Sequence, residues 1–471
     1  MITALLLTAY FGAFCVLALF SLHRLWLIRL ARSTPPAIDR MPLQQLPAVT
    51  VQLPVYNERF VAERLLRAVF ALDYPRDRLQ IQVLDDSTDD TSARIAATIA
   101  RSAPRDLDVA HIRRGSRIGY KAGALAHAAA SARGEFTLIL DADFVPAPTL
   151  LHELLPPMSD PDVAMVQARW THINCMANRL TRAQALLLDA HFLIETNARY
   201  RRGLFFNFHG TAGLWRSRAI ADAGGWQADT LTEDLDLSYR AQMRGWRFVY
   251  LDDVEVAAEL PESLPAFRQQ QARWAEGTMA TARKHLRPLL RGPWPLRIKA
   301  EACMHLLAHS IYPATLLLAL LALPAMWVRR DLGEPLWVIA DVLLAASVIV
   351  PTRIFYRRAA RIAGTRVPGA RDFPYLMLTG IALAVSNSRA VWSGALGKSN
   401  HFLRTPKFAA AAERMRSGYD IRGARALRIV EGGMAAYLIC GSVMAAGAGM
   451  PVAVPMLSFL ALAFGLASAK G

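Results

Sequence analysis

The sequence predicts an α/β domain built on a mostly parallel sheet and joined on both sides to membrane-crossing helices. Three observations predict it. Between about residues 45 and 290, short runs rich in Val, Ile and Leu alternate with helix-patterned stretches, the order that gives βαβ units. Outside that region lie uncharged apolar stretches long enough to cross a bilayer. The net charge of +16 is also confined: residues 283–430 hold 23 Lys+Arg against 7 Asp+Glu, which leaves the remainder neutral. Basic residues interleaved with apolar runs follow the positive-inside bias of membrane proteins, so a nucleic-acid-binding face is excluded.

Taken in order, residues 1–32 read as a transmembrane helix and its basic anchor. Ile2 to Leu22 carries no charge, and Arg24, Arg29 and Arg32 hold its end in the cytoplasm. A cleaved signal peptide is disfavoured, because no basic residue precedes the run and no A-x-A site follows it. Residues 45–290 are the α/β domain, and 291–471 form a C-terminal membrane region with spans expected near 303–327, 336–351, 434–449 and 452–468. The stretch 374–396 is long enough to span, but six Arg precede it (353–371) and eight Lys/Arg follow it (398–428). Both flanks favour the cytoplasmic side, so an amphipathic helix lying in the interface is expected. The four cysteines (15, 175, 303, 440) form no C-x-x-C pair, and neither a disulfide framework nor a zinc site is supported.

Within the domain, strands are expected at Val49–Leu53, Leu79–Leu84, Phe136–Leu140 and Val163–Gln167, and a further buried strand in "RGWRFVYL" (244–251). Helices are expected at Val61–Leu72, Thr91–Arg101, Lys121–Arg133 and Thr149–Leu155. Ligands bind such sheets at the carboxyl ends of the strands. Those ends carry Tyr56-Asn57-Glu58, Asp85-Asp86-Ser87 and Asp141-Ala142-Asp143, and a fourth acidic group, Thr232-Glu233-Asp234, opens a later helix. The turn after the first strand contains no glycine, which argues against dinucleotide binding through G-x-G-x-x-G. Carboxylates gathered around one lip suit a hard divalent cation, Mg²⁺ or Mn²⁺, that bridges protein to a nucleotide diphosphate. Alone, the pair Asp141 and Asp143 is weak evidence, since any acidic turn supplies it. The other strand-end acids strengthen it.

The strings "VQLPVYNE", "VLDDSTDDT", "GYKAGAL", "DADF", "VQARW", "GTAGLWR", "TEDLDL" and "QQQARW" stand in the order found in membrane-embedded family 2 glycosyltransferases of the GT-A fold. The set most resembles the cellulose synthase-like A group, which makes β-linked mannan or glucomannan from GDP-sugars. The resemblance covers about 45–290, and "GKSNHFLRTPKF" (397–408) is similar to the cytoplasmic segment that follows the interface helix in these synthases.

That resemblance implies a GT-A, Rossmann-like domain and a role for each motif residue. Tyr56, Glu58, Asp85 and Asp86 would surround nucleobase and ribose, with Lys121 nearby. Asp141 and Asp143 would hold the metal, and Asp141 would also face the nucleotide-sugar. Asp234 would be the general base, with Glu233 beside it toward the acceptor. Gln270, Arg273 and Trp274 form Q-x-x-R-W, in which Arg273 would neutralise the diphosphate and Trp274 would stack on the acceptor sugar. His209, in "FNFHGTAG", lies in a loop that faces the acceptor in the family.

Plainer readings stand beside these. Asp234 could cap its helix, although Thr232 already suits that place. Arg273 could be a surface ion pair and Trp274 a core aromatic, while His127, His152 and His191 fall at no metal-ligand spacing and read as structural. The expected activity is an inverting, metal-dependent β-hexosyl transfer from GDP-mannose, GDP-glucose or UDP-glucose to a growing β-1,4-mannan or glucan. The setting expected is a bacterial inner membrane with the catalytic domain cytoplasmic, leaving room for an export or accessory subunit. A second reading transfers one sugar to a membrane lipid, as ceramide glucosyltransferases do. A third, a transporter or receptor that merely binds nucleotide-sugars, is disfavoured by the few spans.

Overall fold

A computed structural model describes residues 1–38, 40–41, 43–332, 336–369, 371–398 and 424–470. Among these residues seven strands form one sheet: β1 (Val49–Val55), β2 (Leu79–Asp85), β3 (Asp108–Arg113), β4 (Phe136–Ile139), β5 (Val163–His172), β6 (Gly213–Arg216) and β7 (Arg247–Ala258). Their order across the sheet is β3-β2-β1-β4-β6-β5-β7. All neighbours are parallel except β6, which runs antiparallel to both β4 and β5. β1, β2 and β4 are buried on both faces, as strands covered by helices on both sides must be; one face of β1 and β2 is Val, Ile and Leu, and on the other Thr50 and Gln52 are hydrogen-bonded to Gln80 and Gln82.

Helices α1 (Ile2–Leu30), α2 (Ala62–Phe70), α3 (Thr91–Ser102), α4 (Tyr120–Ala129), α5 (Leu150–Leu154), α6 (Arg179–Ala190), α7 (Asn197–Arg201), α8 (Ser217–Asp222), α9 (Glu233–Met243) and α10 (Leu264–Arg291) precede or surround the sheet. In α2, Ala62, Leu65, Leu66, Val69 and Phe70 are buried at the spacing of one helical face. A π-helical turn, His191–Thr196, interrupts the passage from α6 to α7. The remaining helices are α11 (Leu296–Leu306), α12 (Ile311–Leu332), α13 (Leu336–Ile362), α14 (Asp372–Ile381), α15 (Ala384–Leu396), α16 (Ala424–Gly447) and α17 (Ala453–Lys470).

The sequence of connections fixes where a ligand can sit. The chain runs outward from β1 through β2 to β3, then returns to the other side of β1 with β4. Adjacent strands that wind in opposite directions leave a crevice at their carboxyl ends. Here the crevice lies between β1 and β4, and it receives the Tyr56, Asp86 and Asp141 loops side by side. Three differences from the sequence reading affect the site. The strands β3 and β6 had no clear sequence signal, since β3 is half-exposed (DVAHIR) and β6 is only four residues (GLWR). β5 extends to His172, because β7 continues to Ala258 and pairs with it across a bulge at Ala168/Arg169.

Among the described residues, five helices are long and apolar enough to cross a membrane: Ile2–Leu30, Ala308–Leu332, Leu336–Ile362, Arg425–Gly447 and Ala453–Lys470. The stretch 374–396 is two helices rather than one. α14 and α15 have 10 and 13 residues and are separated at Ala382–Leu383. At about 1.5 Å per residue each falls well short of a hydrocarbon core of about 30 Å. α15 buries Ser386, Asn387 and Ser388, and near its C-terminal end Ser393 Oγ lies 3.3 Å from Glu276 Oε1 of α10. The motif "GKSNHFLRTPKF" lies outside the described residues from 399 onward. We propose that α14 and α15 do not cross the bilayer; single cysteines at 366 and 398 are then expected to react with an impermeant thiol reagent from the same side. Labelling from opposite sides would show that the pair spans.

Candidate active site

The loops after β1 and β2 are laced together. Asn57, at φ 55°, donates its backbone N–H to Ser87 Oγ at 2.9 Å, and its side-chain oxygen accepts from the Thr88 N–H at 2.8 Å. The consecutive acids at the end of β2 then part company. Asp85, 1% exposed, accepts from the Ser87 N–H, Ser92 Oγ and His111 Nε2 at 2.9, 2.5 and 2.9 Å. Burial would raise its carboxyl, but the His111 and serine hydrogen bonds bring it down to about 2. Asp85 is thus occupied inside the domain and does not reach the crevice, contrary to its expected place at the nucleobase. Asp86 does reach it, clamped by Arg114, whose Nε lies 2.9 Å from Oδ1. Alternation along an extended chain explains the split, since successive side chains point to opposite sides.

The crevice is a cleft of about 200 Å³. Every other residue singled out from the sequence lines it: Tyr56, Glu58, Asp86, Lys121, Asp141, Asp143, His209, Glu233, Asp234, Gln270, Arg273 and Trp274. Arg114 and Arg117 were missed. The Arg117 guanidinium lies 3.4 Å over the Tyr56 ring, and both arginines belong to "RRGSRIG" just before "YKAGAL", a basic turn whose charge was the available signal.

Lys121, at the start of α4, donates to Asp141 Oδ1 and to the Gly210 carbonyl at 2.8 Å, with Glu233 Oε1 at 4.0 Å. Burial alone would lower its pKa, but Asp141 and Glu233 hold it above the ordinary value, charged. Asp141 therefore already takes a cation partner. Asp143 is 8% exposed. Among the described residues no three His, Cys, Asp or Glu side chains converge as a complete metal cage. Two carboxylates at the end of β4 fit a hard cation that takes its other oxygens from a bound diphosphate, the common arrangement for Mg²⁺.

Asp234 sits in the first turn of α9 with Glu233 and Asp236. Burial and the neighbouring Glu233 charge raise its carboxyl to about 7, and burial raises Glu233 as well. Thr232 does not cap this helix through its side chain. Its Oγ1 turns to Thr281 Oγ1, 3.4 Å away, while Asp234 Oδ1 accepts from the Leu235 N–H at 2.8 Å. The other oxygen faces Gly210. A Cβ at that residue would lie 2.9 Å from Asp234 Oδ2, and the backbone there has φ +83°, so only glycine suits the "HGTAG" turn.

A second cavity, about 960 Å³, extends from the domain between the membrane helices. It shares Trp170, His209, Asp234, Gln270 and Trp274 with the cleft. His209 is held by its backbone N–H on Gln167 Oε1 at 3.1 Å, and burial keeps its imidazole neutral, well below the usual range.

A family model described as glycosyltransferase like family 2 matches residues 47–277. Residues 47–277 belong to glycosyltransferase family 2. The chain is 43% identical over 258 residues to glucomannan 4-beta-mannosyltransferase 2 of Arabidopsis thaliana, covering 54% of this chain and 48% of the relative. It is 33% identical over 395 residues to a probable glucomannan 4-beta-mannosyltransferase 2 of Oryza sativa subsp. japonica, covering 80% and 65%. The chain thus spans about half the length of the first relative. In structure it is similar to a mannosyltransferase of Pyrobaculum calidifontis solved with GDP-Man and Mn²⁺, with a TM-score of 0.57 and 23% identity over 84% of this chain and 99% of that one. At that identity the likeness speaks for the GT-A fold.

Close packing of α10 on the start of α9 positions this family 2 site. A Cβ at Gly277 would lie 2.5 Å from Thr232 Cγ2 and 2.9 Å from Thr232 Cβ. Gly→Ala inside a helix usually stabilises by up to about 1 kcal/mol. Here the methyl has no room, and overpacking costs about 1–3 kcal/mol. Gly277→Ala is expected to lower the unfolding temperature and to displace the Thr232–Asp234 turn, cutting turnover by about tenfold or more, since small misplacements of reacting groups cost up to about 10²-fold. Unfolding scans and kcat measured on one preparation check both parts.

Proposed function

We propose that the protein is an inverting, divalent-cation-dependent β-hexosyltransferase that extends a β-1,4-linked mannan or glucomannan at the membrane from a nucleotide-diphosphate sugar of the GDP-mannose kind. The observation that carries this reading is the meeting of an acid-lined cleft with a cavity between membrane helices at Asp234 and Trp274. A donor in the cleft and a polymer end in the cavity would face each other there. The mannosyl donor is supported by the names of the relatives, and GDP-Man and Mn²⁺ accompany the fold neighbour.

In the proposed transfer, Tyr56, Glu58 and Asp86 receive the nucleoside, and Asp141 and Asp143 would hold Mg²⁺ or Mn²⁺ against the diphosphate. When bound, the cation supplies positive charge that stabilises the departing diphosphate. Lys121 and Arg273 add fixed positive charge on the same side. Asp234 takes the proton from the acceptor hydroxyl as that oxygen bonds to the anomeric carbon. The bond from that carbon to the phosphate oxygen breaks, its electron pair leaves with the nucleoside diphosphate, and a single displacement inverts the centre. Trp274 offers the acceptor ring a flat face, and Gln270 a polar contact beside it.

The raised carboxyl suits a base near neutral pH. Only the ionised form accepts a proton, so transfer is expected to rise with pH along an acid limb centred near the Asp234 value of about 7, with bound cation moving that limb lower. Asp234→Asn is expected to reduce transfer by about 10²–10⁴-fold while donor affinity by calorimetry stays within a few-fold. A folded-state carboxyl raised above its unfolded value stabilises the fold at low pH and loses that contribution as pH rises through the folded value. Asp234→Asn should therefore be no less stable than the parent at pH 8. Proportional loss of donor binding would instead make Asp234 a nucleotide or metal ligand. Asp143→Asn and excess EDTA are each expected to abolish transfer, with the variant's unfolding temperature little changed; full activity under either would remove the cation from the mechanism. Release of an alkali-insoluble polymer, rather than a lipid-soluble monoglycoside, is the expected product.

A further inference from the structure

The membrane cavity has a polar wall that the proposed transfer does not use. It comes from the π-helical turn between α6 and α7. His191 and Glu195 both line the cavity, with His191 Nδ1 3.0 Å from Glu195 Oε2. Arg199, one turn on, lies 3.8 Å from Glu195 and donates through Nε to Glu301 Oε1 at 3.0 Å, whose other oxygen meets His23 Nε2 at 2.8 Å. The turn is thereby braced against α11 and α1 by charges that are themselves paired. π-helical turns are rare and concentrate at functional sites.

Two further observations point to a ligand. Gln184, on the same cavity wall and 1% exposed, is held by its amide nitrogen on the Pro261 carbonyl at 2.7 Å, yet its side-chain oxygen has no hydrogen-bond partner among the described residues. A buried acceptor without a donor is costly unless something polar fills the cavity. The His191 ring also stands 5.0 Å from the His209 ring, and His209 lies at the junction with the cleft. The polar wall thus begins where the acceptor end would lie and continues away from the donor. Trp170, tilted on Phe192 at 5.2 Å, adds an aromatic face beside it. Burial would raise the Glu195 carboxyl, but the His191 hydrogen bond and the Arg199 and Arg24 charges pull it down to about 2, so it remains an acceptor-only group at working pH.

A ligand that brings several hydroxyl donors to a carboxylate, an imidazole and an amide oxygen, and apolar C–H faces to an indole, is a sugar. We propose that His191 and Glu195, with Gln184, form a second sugar-binding position behind Asp234, which grips the acceptor's penultimate residue and makes the enzyme prefer acceptors of two or more linked sugars. The proposal rests on the glycosyltransferase reading for its acceptor, but its test is a binding measurement that needs no turnover.

The full-length protein in nanodiscs is titrated with a β-1,4-linked hexose tetrasaccharide and with the monosaccharide, by calorimetry or saturation-transfer NMR. Wild type is expected to bind the tetrasaccharide at least about tenfold more tightly than the monosaccharide. Glu195→Gln is expected to lose that advantage by about tenfold or more, the scale of a hydrogen bond to a charged group, while nucleoside diphosphate affinity is unchanged. Glu195 also faces Arg199, so His191→Gln serves as the milder variant. It should weaken tetrasaccharide binding several-fold without moving the unfolding temperature. Equal tetrasaccharide affinity in wild type and both variants, or no length preference in wild type, would overturn the second position. Binding that depends on Glu195 in a protein that releases no nucleoside diphosphate from any nucleotide-sugar would keep the position and overturn the transferase reading instead.

Discussion

Asp236 accepts from His285 Nε2 at 2.7 Å and from the Lys284 ammonium at 2.8 Å, while Arg240 bonds its second oxygen at 2.8 Å, and through this one carboxylate the two sides of the site are fixed to each other. Asp236 is on α9, two residues after Asp234, whereas His285 and Lys284 are on α10, which carries Gln270, Arg273 and Trp274. Burial alone would push the Asp236 carboxyl up, but the His285 hydrogen bond and the Arg240 and Lys284 charges hold it at about 2. Removing one member of such a buried cluster leaves an uncompensated charge, which costs about 3–5 kcal/mol. The cluster therefore registers α9 on α10, and the Gly277–Thr232 contact sets how closely they approach. α10 is fixed in turn at its other end, where Arg268 meets Glu431 of α16 at 3.2 Å. The proposed base, the aromatic proposed to face the acceptor and the membrane helices thus form one mechanical series.

Acids close in sequence take opposite roles here because their surroundings differ. Asp236 is saturated with cations and hydrogen bonds and stays ionised. Asp234 has one backbone N–H and a carboxylate neighbour, and its proton is held to neutral pH. Asp85 and Asp86 divide in the same way, one bound by serines and a histidine inside the domain, the other presented to the cleft on an arginine fork. A structural acid is one whose lone pairs are filled by the protein. A working acid is one left partly unfilled beside a cavity. No inspection of "TEDLD" or "LDDS" alone separates the two.

The parallel sheet and the crevice were legible in the sequence because both rest on local patterns: β-branched runs of four to seven residues, and acids directly after them. The cleft residues from Tyr56 to Trp274 were likewise marked by motif strings. What escaped depends on contacts distant in sequence. β6 is four residues, and it is a strand because β4 and β5 flank it. Thr232 was expected to cap α9, yet tertiary packing against Thr281 outweighed the local preference. The division of 374–396 into α14 and α15 has only Gly380, two residues before the break, to signal it. His191 read as structural because its partners, Glu195 and the His209 ring, define a cavity wall only when the membrane helices close the other side.

The position of His191 separates two parts of the site. Every residue that lines the donor-side cleft lies between 54 and 274, inside the α/β domain. The larger cavity is walled on one side by the same domain, through Trp170, His191, Glu195 and Trp274, and on the other by Phe14, Phe20 and Arg24 of α1, Arg353 and Tyr356 of α13, and Phe459 of α17. Under the proposed function the domain therefore carries the whole of the donor side and only half of the acceptor side. The membrane helices add both polar groups, Ser21, Thr315 and Thr352 among them, and apolar ones such as Leu17, Leu318, Val348, Met456 and Leu460. A hydroxylated chain entering from the domain would meet apolar faces beside these polar groups. That favours a ligand whose rings have flat C–H surfaces, and it disfavours firm binding deep in the cavity, where each tightly held sugar would oppose movement of the chain. Under the proposed transfer, grip next to the reacting end would hold the acceptor still, and weaker contacts beyond it would let the chain slide.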